Sequence, residues 1–316
     1  MAEEILVAGG AGFLGRHVVR ALAAGGAEVH VIDNFVTSDR AHFVDGAVRV
    51  IEACVTDPAG WPDDLRPDLI FNLACPASPR AYRRMPVLTL ETSVLGARSL
   101  AHLALGTGAR LVHASTSEVY GDPQRHPQAE DYAGNVALSG PRACYDEGKR
   151  AAEVLLGDMA ATRGLDLRIA RIFNTYGPGM TAGDGRAVPN FVEQALAGQP
   201  LTIEGDGLQT RSFCYVDDMV EGLLRLSRSE DVGPAPVNLG NPDEVTILEL
   251  AEQVLLITGS ASGLQFDPAT RNDPARRCPD ISRARSALGF APEIGLATGL
   301  ERTIAAVATG RIKIAR

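Results

Sequence analysis

A tyrosine and a lysine that could share a proton lie one helical turn apart, at Tyr145 and Lys149. On a helix predicted over 142–163, this i and i+4 spacing places both side chains on one face. An ammonium beside a phenol favours the phenolate, which lowers the phenol's pKa toward a value useful for general base catalysis. Lys149 and Lys313 are the only lysines of the chain. Their scarcity favours a specific role for Lys149 over the alternative, a solvated helix face.

A glycine triplet, Gly9, Gly12 and Gly15, directly follows a predicted strand and opens a helix. Such glycines allow a tight turn and a close approach of backbone amides to a pyrophosphate, which the helix N-terminus also favours. Asp33 ends the second predicted strand, where a carboxylate accepts hydrogen bonds from ribose hydroxyls and repels a 2'-phosphate. The pattern therefore predicts NAD rather than NADP as the cofactor. A glycine-rich surface turn and a helix-capping aspartate are the alternative.

Polar residues close another predicted strand, in the run from Ser115 through Thr116 to Glu118. The crevice of an open α/β sheet lies at the carboxyl ends of its strands. There Thr116 could bond the same substrate oxygen as Tyr145, and Glu118 could act as an acid or base on a neighbouring carbon. Turn chemistry explains serines and threonines at a strand end equally well, and Glu118 could simply be solvated.

The elements that position these residues form a βαβ pattern. Short β-branched runs alternate with helical patterns through the first half of the chain, which predicts a doubly wound parallel sheet with helices on both faces. After Phe173, glycine and proline interrupt the pattern, which indicates a smaller C-terminal α/β lobe. We expect a Rossmann domain over 1–172 that takes back a segment near 212–240. The second domain then comprises 173–211 and 241–316.

Helices follow from apolar periodicity and capping signals. Thr246 and Glu249 form a capping box that opens one of them. The predicted helices lie near 13–24, 86–106, 142–163, 188–198, 216–229, 246–257 and 297–308.

Composition excludes several classes of protein. With 316 residues, 45% apolar and 22% charged, the chain is neither disordered nor fibrous. A net charge of -9 gives no basic surface for nucleic acid. The five cysteines include no C-x-x-C pair, so neither a disulfide framework nor a metal site is expected. The chain shows no leader pattern and no long apolar run, so we expect no membrane partner and a cytoplasmic location.

Several sequence runs together resemble a known family. AGGAGFLG, VIDNF, NLACPASP, ASTSEVYGDP, CYDEGKR, RIFNTYGP, GDGLQTRSFCYVDD and RRCPDI occur in this order from residue 5 to about 300. They resemble the extended short-chain dehydrogenase/reductases and, within that family, the enzymes that decarboxylate UDP-glucuronate. The glycine triplet and the YxxxK pair are common to the whole family, whereas the combination of TSE, NLACPASP, CYDEGKR and RRCPDI is much narrower.

The resemblance assigns roles to individual positions. Thr116, Tyr145 and Lys149 match the dehydrogenase centre, Glu118 matches a residue beside C5 and the carboxylate of the sugar, and Arg277 matches an arginine implicated in decarboxylation. Arg186 matches a position that holds a phosphate of either ligand. The implied cofactor-binding residues are Gly9, Gly12, Phe13, Leu14, Gly15, Asp33, Asn34, Phe35, Thr37, Leu73, Cys75, Thr92, Tyr145, Lys149 and Arg186. The implied substrate-binding residues are Tyr82, Glu118, Tyr145, Asn174, Arg211 and Arg277.

The resemblance also implies an activity. It predicts an NAD-dependent enzyme that decarboxylates UDP-glucuronate through a UDP-4-keto-hexuronate, with a nucleotide-sugar-binding C-terminal domain and a homodimer formed by a four-helix bundle of helices 86–106 and 142–163. Cys54 and Gly179 stand where relatives usually carry Asp and Arg. Since both changes remove candidate tethers of the ligands, we expect UDP-xylose together with some UDP-4-keto-xylose. The alternatives are a 4-epimerase or 4,6-dehydratase of nucleotide sugars, or an inactive NAD-binding regulator.

Overall fold

Strands make up the centre of the protein in a computed structural model that describes residues 2–40, 48–181, 183, 185–268 and 276–309. The strands are β1 (Glu4–Ala8), β2 (Glu28–Asp33), β3 (Val48–Glu52), β4 (Leu69–Asn72), β5 (Arg110–Thr116), β6 (Leu167–Ile172), β7 (Thr175–Tyr176), β8 (Leu201–Glu204), β9 (Thr210–Ser212), β10 (Cys214–Tyr215), β11 (Val237–Leu239), β12 (Glu244–Thr246), β13 (Leu264–Asp267) and β14 (Arg276–Arg277).

Helices cover this framework. They are α1 (Phe13–Ala24), α2 (Pro79–Arg84), α3 (Pro86–Glu91), α4 (Ala97–Thr107), α5 (Ala143–Arg163), α6 (Ala187–Leu196), α7 (Val216–Arg228), α8 (Ile247–Thr258), α9 (Ser282–Leu288) and α10 (Leu296–Ala308). A π-helical turn joins α3 to α4, and short 3-10 turns follow β3 and β5. Among the described residues, no helix combines the length and apolar character needed to cross a membrane.

Seven strands form one parallel sheet in the order β11-β6-β5-β4-β1-β2-β3. One apolar cluster covers the face against α1, α6, α7 and α8, and a second covers the face against α4 and α5. Because both faces are buried, the strands are continuously apolar, as the sequence predicts. The predicted α/β class with a doubly wound parallel sheet is confirmed.

The parallel register brings the predicted site residues to one edge of the sheet. Ala8 of β1 lies opposite Ile32 of β2 and Asn72 of β4. Gly9, the end of β2 and the segment after β4 therefore meet at the carboxyl edge. Thr116 ends β5 at the same edge, in register with Ile172 of β6. This edge is where an open α/β sheet binds its ligands.

The helix predicted near 86–106 is interrupted by the π turn Thr92–Gly96. Within it the hydroxyl of Ser93 donates to the carbonyl oxygen of Thr89 over 2.8 Å. Such turns often lie at functional sites, and periodicity alone does not reveal them. The capping box of Thr246 and Glu249 is present at the start of α8.

Short strands organise the C-terminal part of the chain, and the sequence pattern did not predict them individually. β9 pairs with β12 in antiparallel fashion and with β14 in parallel. The register of the β9–β14 pair sets Arg277 directly beside Arg211. Backbone pairing thus fixes two of the arginines that resemblance assigns to the substrate side by side. In the same part of the chain, β11 returns to pair with β6 in the main sheet.

Candidate active site

A cleft opens at the carboxyl edge of β1, β2 and β4. Eight of the predicted cofactor residues line it, and they come from the loops after these strands and from the π turn. They are Gly9, Gly12, Asp33, Asn34, Thr37, Leu73, Cys75 and Thr92.

The glycine turn fits a bound pyrophosphate because its backbone is packed too closely for side chains. Gly9 has φ +75°, and a Cβ there would lie 2.7 Å from the backbone of Ala74. A Cβ on Gly15 would lie 2.2 Å from the carbonyl oxygen of Gly9. Gly12 is the N-cap of α1 and provides no side-chain cap. The first amides of α1 therefore remain available to an anion.

The Asp33 carboxylate is fixed at the rim of this cleft. It accepts hydrogen bonds from the amides of Ala11 (3.0 Å) and Phe35 (2.9 Å) and from the hydroxyl of Ser38 (2.8 Å). A carboxylate offers about four lone-pair sites, so it retains capacity for a ribose hydroxyl. Phe35 adopts φ +55°, the one positive φ among the described non-glycine residues. The turn after β2 thus holds the carboxylate in place.

Other predicted cofactor residues do not line the cleft. Phe13 and Leu14 open α1 and pack against the apolar core. Arg186 is the N-cap of α6, far from the glycine turn in sequence. Their contacts with a cofactor stay predictions.

Tyr145, Thr116 and Lys149 meet where β5 ends against α5. The Tyr145 and Thr116 side chains are hydrogen-bonded to each other. The Lys149 ammonium donates to the carbonyl oxygen of Ala114 over 2.7 Å. All three side chains are buried. The structure therefore brings together the hydroxyl, phenol and ammonium that the sequence singled out.

The predicted lowering of the Tyr145 pKa is wrong for the chain alone. Burial is the largest influence and raises the pKa of Tyr145, and the hydrogen bond from Thr116 only partly opposes it. Burial likewise lowers the pKa of Lys149. The Lys149 ammonium is hydrogen-bonded to the carbonyl oxygen of Ala114. The i and i+4 spacing on the helix therefore does not by itself produce a phenolate at Tyr145.

Glu118 lies in a double ion pair. Its Oε1 is 2.9 Å from Nη1 of Arg277, its Oε2 is 3.0 Å from Nη2, and Oε2 also contacts the guanidinium of Arg142. Burial would raise the pKa of Glu118, but Arg277 and then Arg142 outweigh it, and the pKa is lowered. Paired on both oxygens, Glu118 is held as a carboxylate, which is the opposite of the protonated form that a proton donor requires.

The predicted substrate residues surround this pair on several elements. Arg211 is buried on β9 and donates from Nη1 to the carbonyl of Thr210 over 2.7 Å. The ring of Tyr82, on α2, is stacked on Tyr145 with centroids 5.6 Å apart. Asn174 follows β6, and its carbonyl accepts from the amide of Cys214.

Arg142 and Asp146 are site residues that the sequence reasoning missed. Both lie in the first turn of α5, next to Tyr145, and their side chains are mostly buried beside Glu118. The available signal was their i and i+4 spacing, which predicts an ion pair on the same helix that carries the tyrosine.

His126, Glu244 and Cys278 bring three potential metal ligands together, which the cysteine spacing did not predict. However, Nη2 of Arg276 lies 2.8 Å from Nε2 of His126 and 3.3 Å from Oε2 of Glu244. A guanidinium thus lies against two of the three potential ligand atoms, and Nε2 of His126 is itself 2.9 Å from Oε2 of Glu244.

The sequence suggests that Gly179, in place of an arginine, leaves a gap beside the ligands, but the structure fills the space beside Gly179. It has φ +93°, and a Cβ there would lie 2.3 Å from Nη2 of Arg16. The space beside Gly179 therefore holds a guanidinium that α1 supplies. An arginine at 179 would meet both a strained backbone and this side chain.

A doubly wound sheet with a glycine turn at its carboxyl edge and a buried tyrosine–lysine pair defines the class of the short-chain dehydrogenase/reductases. A family model described as the NAD dependent epimerase/dehydratase family matches residues 5–240. The chain belongs to this family. The prediction of NAD as the cofactor is confirmed with it.

Curated relatives narrow the comparison. The UDP-glucuronic acid decarboxylase 1 of Arabidopsis thaliana is 49% identical over 305 residues, which cover 95% of this chain and 69% of the relative. The protein of the same name from Danio rerio is 46% identical over 302 residues, covering 96% and 72%. The resemblance inferred from the motifs is confirmed.

A solved structure is similar over nearly the whole chain. A variant of the UDP-glucuronic acid 4-epimerase of Bacillus cereus, in complex with UDP-4-deoxy-4-fluoro-glucuronic acid and NAD, superposes with a TM-score of 0.86 at 25% identity. The match covers 97% of this chain and 99% of that one.

Proposed function

We propose that this protein decarboxylates UDP-glucuronate with NAD as its cofactor, releasing UDP-xylose and some UDP-4-keto-xylose. The observation that carries the proposal is the ion pair of Glu118 and Arg277 beside the hydrogen-bonded Thr116 and Tyr145. The Glu118–Arg277 pair is suited to a carbon that carries a carboxylate, and the Thr116–Tyr145 pair is suited to the hydroxyl on the adjacent carbon. The decarboxylase relatives support the same activity.

Thr116 and Tyr145 act on the C4 hydroxyl of the sugar. Thr116 orients the oxygen, and Tyr145 takes its proton as the general base. NAD bound in the cleft at the glycine turn would supply the hydride acceptor and donor for C4. Lys149, fixed on Ala114, contributes positive charge near the phenol. Burial disfavours the phenolate, so this charge and that of the bound cofactor would stabilise the phenolate that accepts the proton.

Arg277 and Glu118 act one carbon away. A C4 ketone is β to the C5 carboxylate. Carbon dioxide can therefore leave, and the electron pair of the broken carbon–carbon bond stays behind in an enolate. Arg277 orients the carboxylate by a forked contact. A substrate carboxylate that takes Arg277 leaves Glu118 with less positive charge and places a like charge beside it. Both effects raise the pKa of Glu118, so that it takes up a proton from solvent and delivers it to C5 of the enolate.

The test is direct. Purified protein and NAD+ are incubated with UDP-glucuronate or with UDP-glucose, and the sugar nucleotides are separated by chromatography and analysed by mass spectrometry. Loss of one carbon dioxide supports the proposal. Isomeric product of unchanged mass indicates an epimerase, and loss of water from UDP-glucose indicates a dehydratase. No change with any sugar nucleotide, together with NAD binding, indicates a regulatory protein.

We further propose that the two predicted domains bind different ligands and that the protein forms a homodimer. Residues 1–172 with 212–240 hold the cofactor, and 173–211 with 241–316 hold the UDP-sugar. A homodimer forms through a four-helix bundle of the α3–α4 segment and α5. Exposed apolar side chains on these helices, Val87, Leu90 and Val154, support the bundle because a lone protomer leaves them in water.

A further inference from the structure

Arg142 stands between two carboxyl groups of the site. Its guanidinium contacts Oε2 of Glu118, and its Nε lies 4.0 Å from Oδ2 of Asp146. The side chains of Arg142, Glu118 and Asp146 are 11–15% exposed, so water screens them weakly. Arg142 is hydrogen-bonded to Glu118 but stands beyond hydrogen-bond distance of Asp146, so in this geometry it holds Glu118 and the two carboxyl groups compete for it.

Of the two carboxyl groups, Asp146 has the weaker contact with Arg142. Its Oδ1 is buried and has no hydrogen-bond partner among the described residues. Burying a carboxylate without partners costs much more free energy than burying a protonated carboxyl in the same place. Burial first, and then the charge of Glu118, raise the pKa of Asp146 to about 7. Asp146 therefore changes charge near neutral pH.

The groups that face Asp146 come from four elements. Arg142 and Glu147 flank it on α5, Glu118 approaches from the turn after β5, and Arg277 approaches from β14. Tyr82 of α2, together with Cys144 and Tyr145 of α5, completes the surroundings. Glu118 and Glu147 oppose ionisation of Asp146, and Arg142 and Arg277 favour it. Of the two arginines, Arg142 is the one that forms an ion pair with Asp146.

We propose that Arg142 is a positioning residue for Glu118 and that Asp146 controls it, so that Arg142 holds Glu118 only while Asp146 carries a proton. When that proton leaves to solvent, the Asp146 carboxylate draws Arg142 away. Glu118 then keeps only Arg277, the group that the substrate carboxylate also needs. This inference rests on the proposed function, because its consequence concerns the decarboxylation step.

The sign of the pH effect follows from the charges. Below the pKa of Asp146 the aspartic acid is neutral and Glu118 is held from both sides. As the pH rises through that value, Arg142 is drawn to Asp146 and no longer fixes Glu118 beside C5. Losing Arg142 also raises the pKa of Glu118, so the decarboxylation rate falls because the proton donor is out of position and not because it is deprotonated. The rate therefore has an alkaline limb near neutral pH. Tyr145 does not cause this limb, because a general base is inactivated by protonation and produces an acid limb instead.

The experiment compares pH profiles of single-turnover carbon dioxide release from UDP-glucuronate, each normalised to its own maximum. Asp146→Asn keeps the shape of the side chain and cannot ionise, so the alkaline limb should move up by at least one pH unit. Glu147→Gln removes a charge from the next position of α5 and should leave the limb in place. Arg142→Gln should flatten the limb and lower turnover at least tenfold, and Arg142→Lys should restore part of both.

A direct titration makes the outcome independent of activity. Aspartate carboxyls are labelled with ¹³C, and the Asp146 resonance, assigned by its absence from Asp146→Asn, is followed with pH in the substrate-free protein. Titration near neutral pH, shifted lower in Glu118→Gln, supports the inference. Titration below pH 5, or an Asp146→Asn profile that overlays the unmodified protein, overturns it. A protein that shows the titration but never releases carbon dioxide contradicts the proposed function instead.

Discussion

The rings of Tyr82 and Tyr145 are stacked almost in parallel, with centroids 5.6 Å apart and planes inclined by 11°. This contact fixes the Tyr145 ring from the side opposite its helix, while Thr116 bonds its hydroxyl. The phenol is thus held by packing at its face and by a hydrogen bond at its tip. The two tyrosines can be distinguished because only Tyr145 is bonded to Thr116.

Tyr145→Phe should reduce turnover by about 10² to 10⁴-fold, because it removes the general base while the ring and its stacking remain. Tyr82→Phe keeps the same stack and the Tyr145 hydroxyl, and should cost less than about tenfold. Single-turnover decarboxylation and thermal unfolding of both variants decide the matter. Near-normal chemistry in Tyr145→Phe would show that another group takes the C4 proton.

The sequence was most informative where a local pattern fixes a local structure. The glycine triplet, Asp33 and Thr116 reach one edge because parallel strands align their carboxyl ends. The charge state of the site was harder to foresee, since it depends on burial and on partners distant in sequence. Arg277 reaches Glu118 only because β14 pairs with β9, and a two-residue strand has no periodicity to detect.

Asp33→Ser should narrow the preference for NAD+ over NADP+ by about tenfold, because it removes the charge that repels a 2'-phosphate. Asp33 also accepts from Ser38, so Ser38→Ala is the matched control for the lost hydrogen bond. It should leave the ratio of the two dissociation constants unchanged. Tighter binding of NADP+ than NAD+ by the unmodified protein, measured by calorimetry, would contradict the assignment.

Arg277→Gln should lower decarboxylation by about 10²-fold, since truncating one partner of a buried charge pair typically costs about 2–5 kcal/mol. Arg276→Gln is the control on the neighbouring residue, whose side chain is half exposed and points to His126 and Glu244 instead. Carbon dioxide release should be nearly normal in that variant. UDP binding, measured separately, should survive in both. Equal losses from the two changes would mean that β14 matters only for folding.

Val154→Glu should convert the proposed homodimer into a monomer. Val154 lies on α5 and is 65% exposed in the protomer. In the bundle it would be buried, and an unpaired carboxylate there is costly. Leu256→Glu places the same charge on an apolar position of α8 that is 81% exposed and lies outside the bundle, and should leave the mass unchanged. Light scattering at micromolar concentration provides the measurement, and an unmodified protein that is monomeric would refute the dimer.

The partition between UDP-xylose and UDP-4-keto-xylose tests the substitution at Cys54. Closing the reaction cycle requires the reduced cofactor and the keto sugar to stay bound until the hydride returns. The Cys54 thiol lies 3.0 Å from the Thr56 hydroxyl and accepts from Nδ2 of Asn34 over 3.8 Å. A thiol is only a weak donor and a weak acceptor. An aspartate at this position would add a strong acceptor at the edge of the cleft.

A lost hydrogen bond is worth about 1 kcal/mol, which is several-fold in a dissociation rate. At Gly179 no such gap exists, because Arg16 occupies the space beside it. We therefore expect Cys54→Asp to shift the released products toward UDP-xylose. Gly179→Arg should not do so, because the backbone there has φ +93°, which strains any L side chain. Product analysis by NMR, with and without excess NADH, provides the ratio. If UDP-xylose is the sole product without added NADH, or if Cys54→Asp leaves the ratio unchanged, then the adenosine end of the cofactor does not govern release.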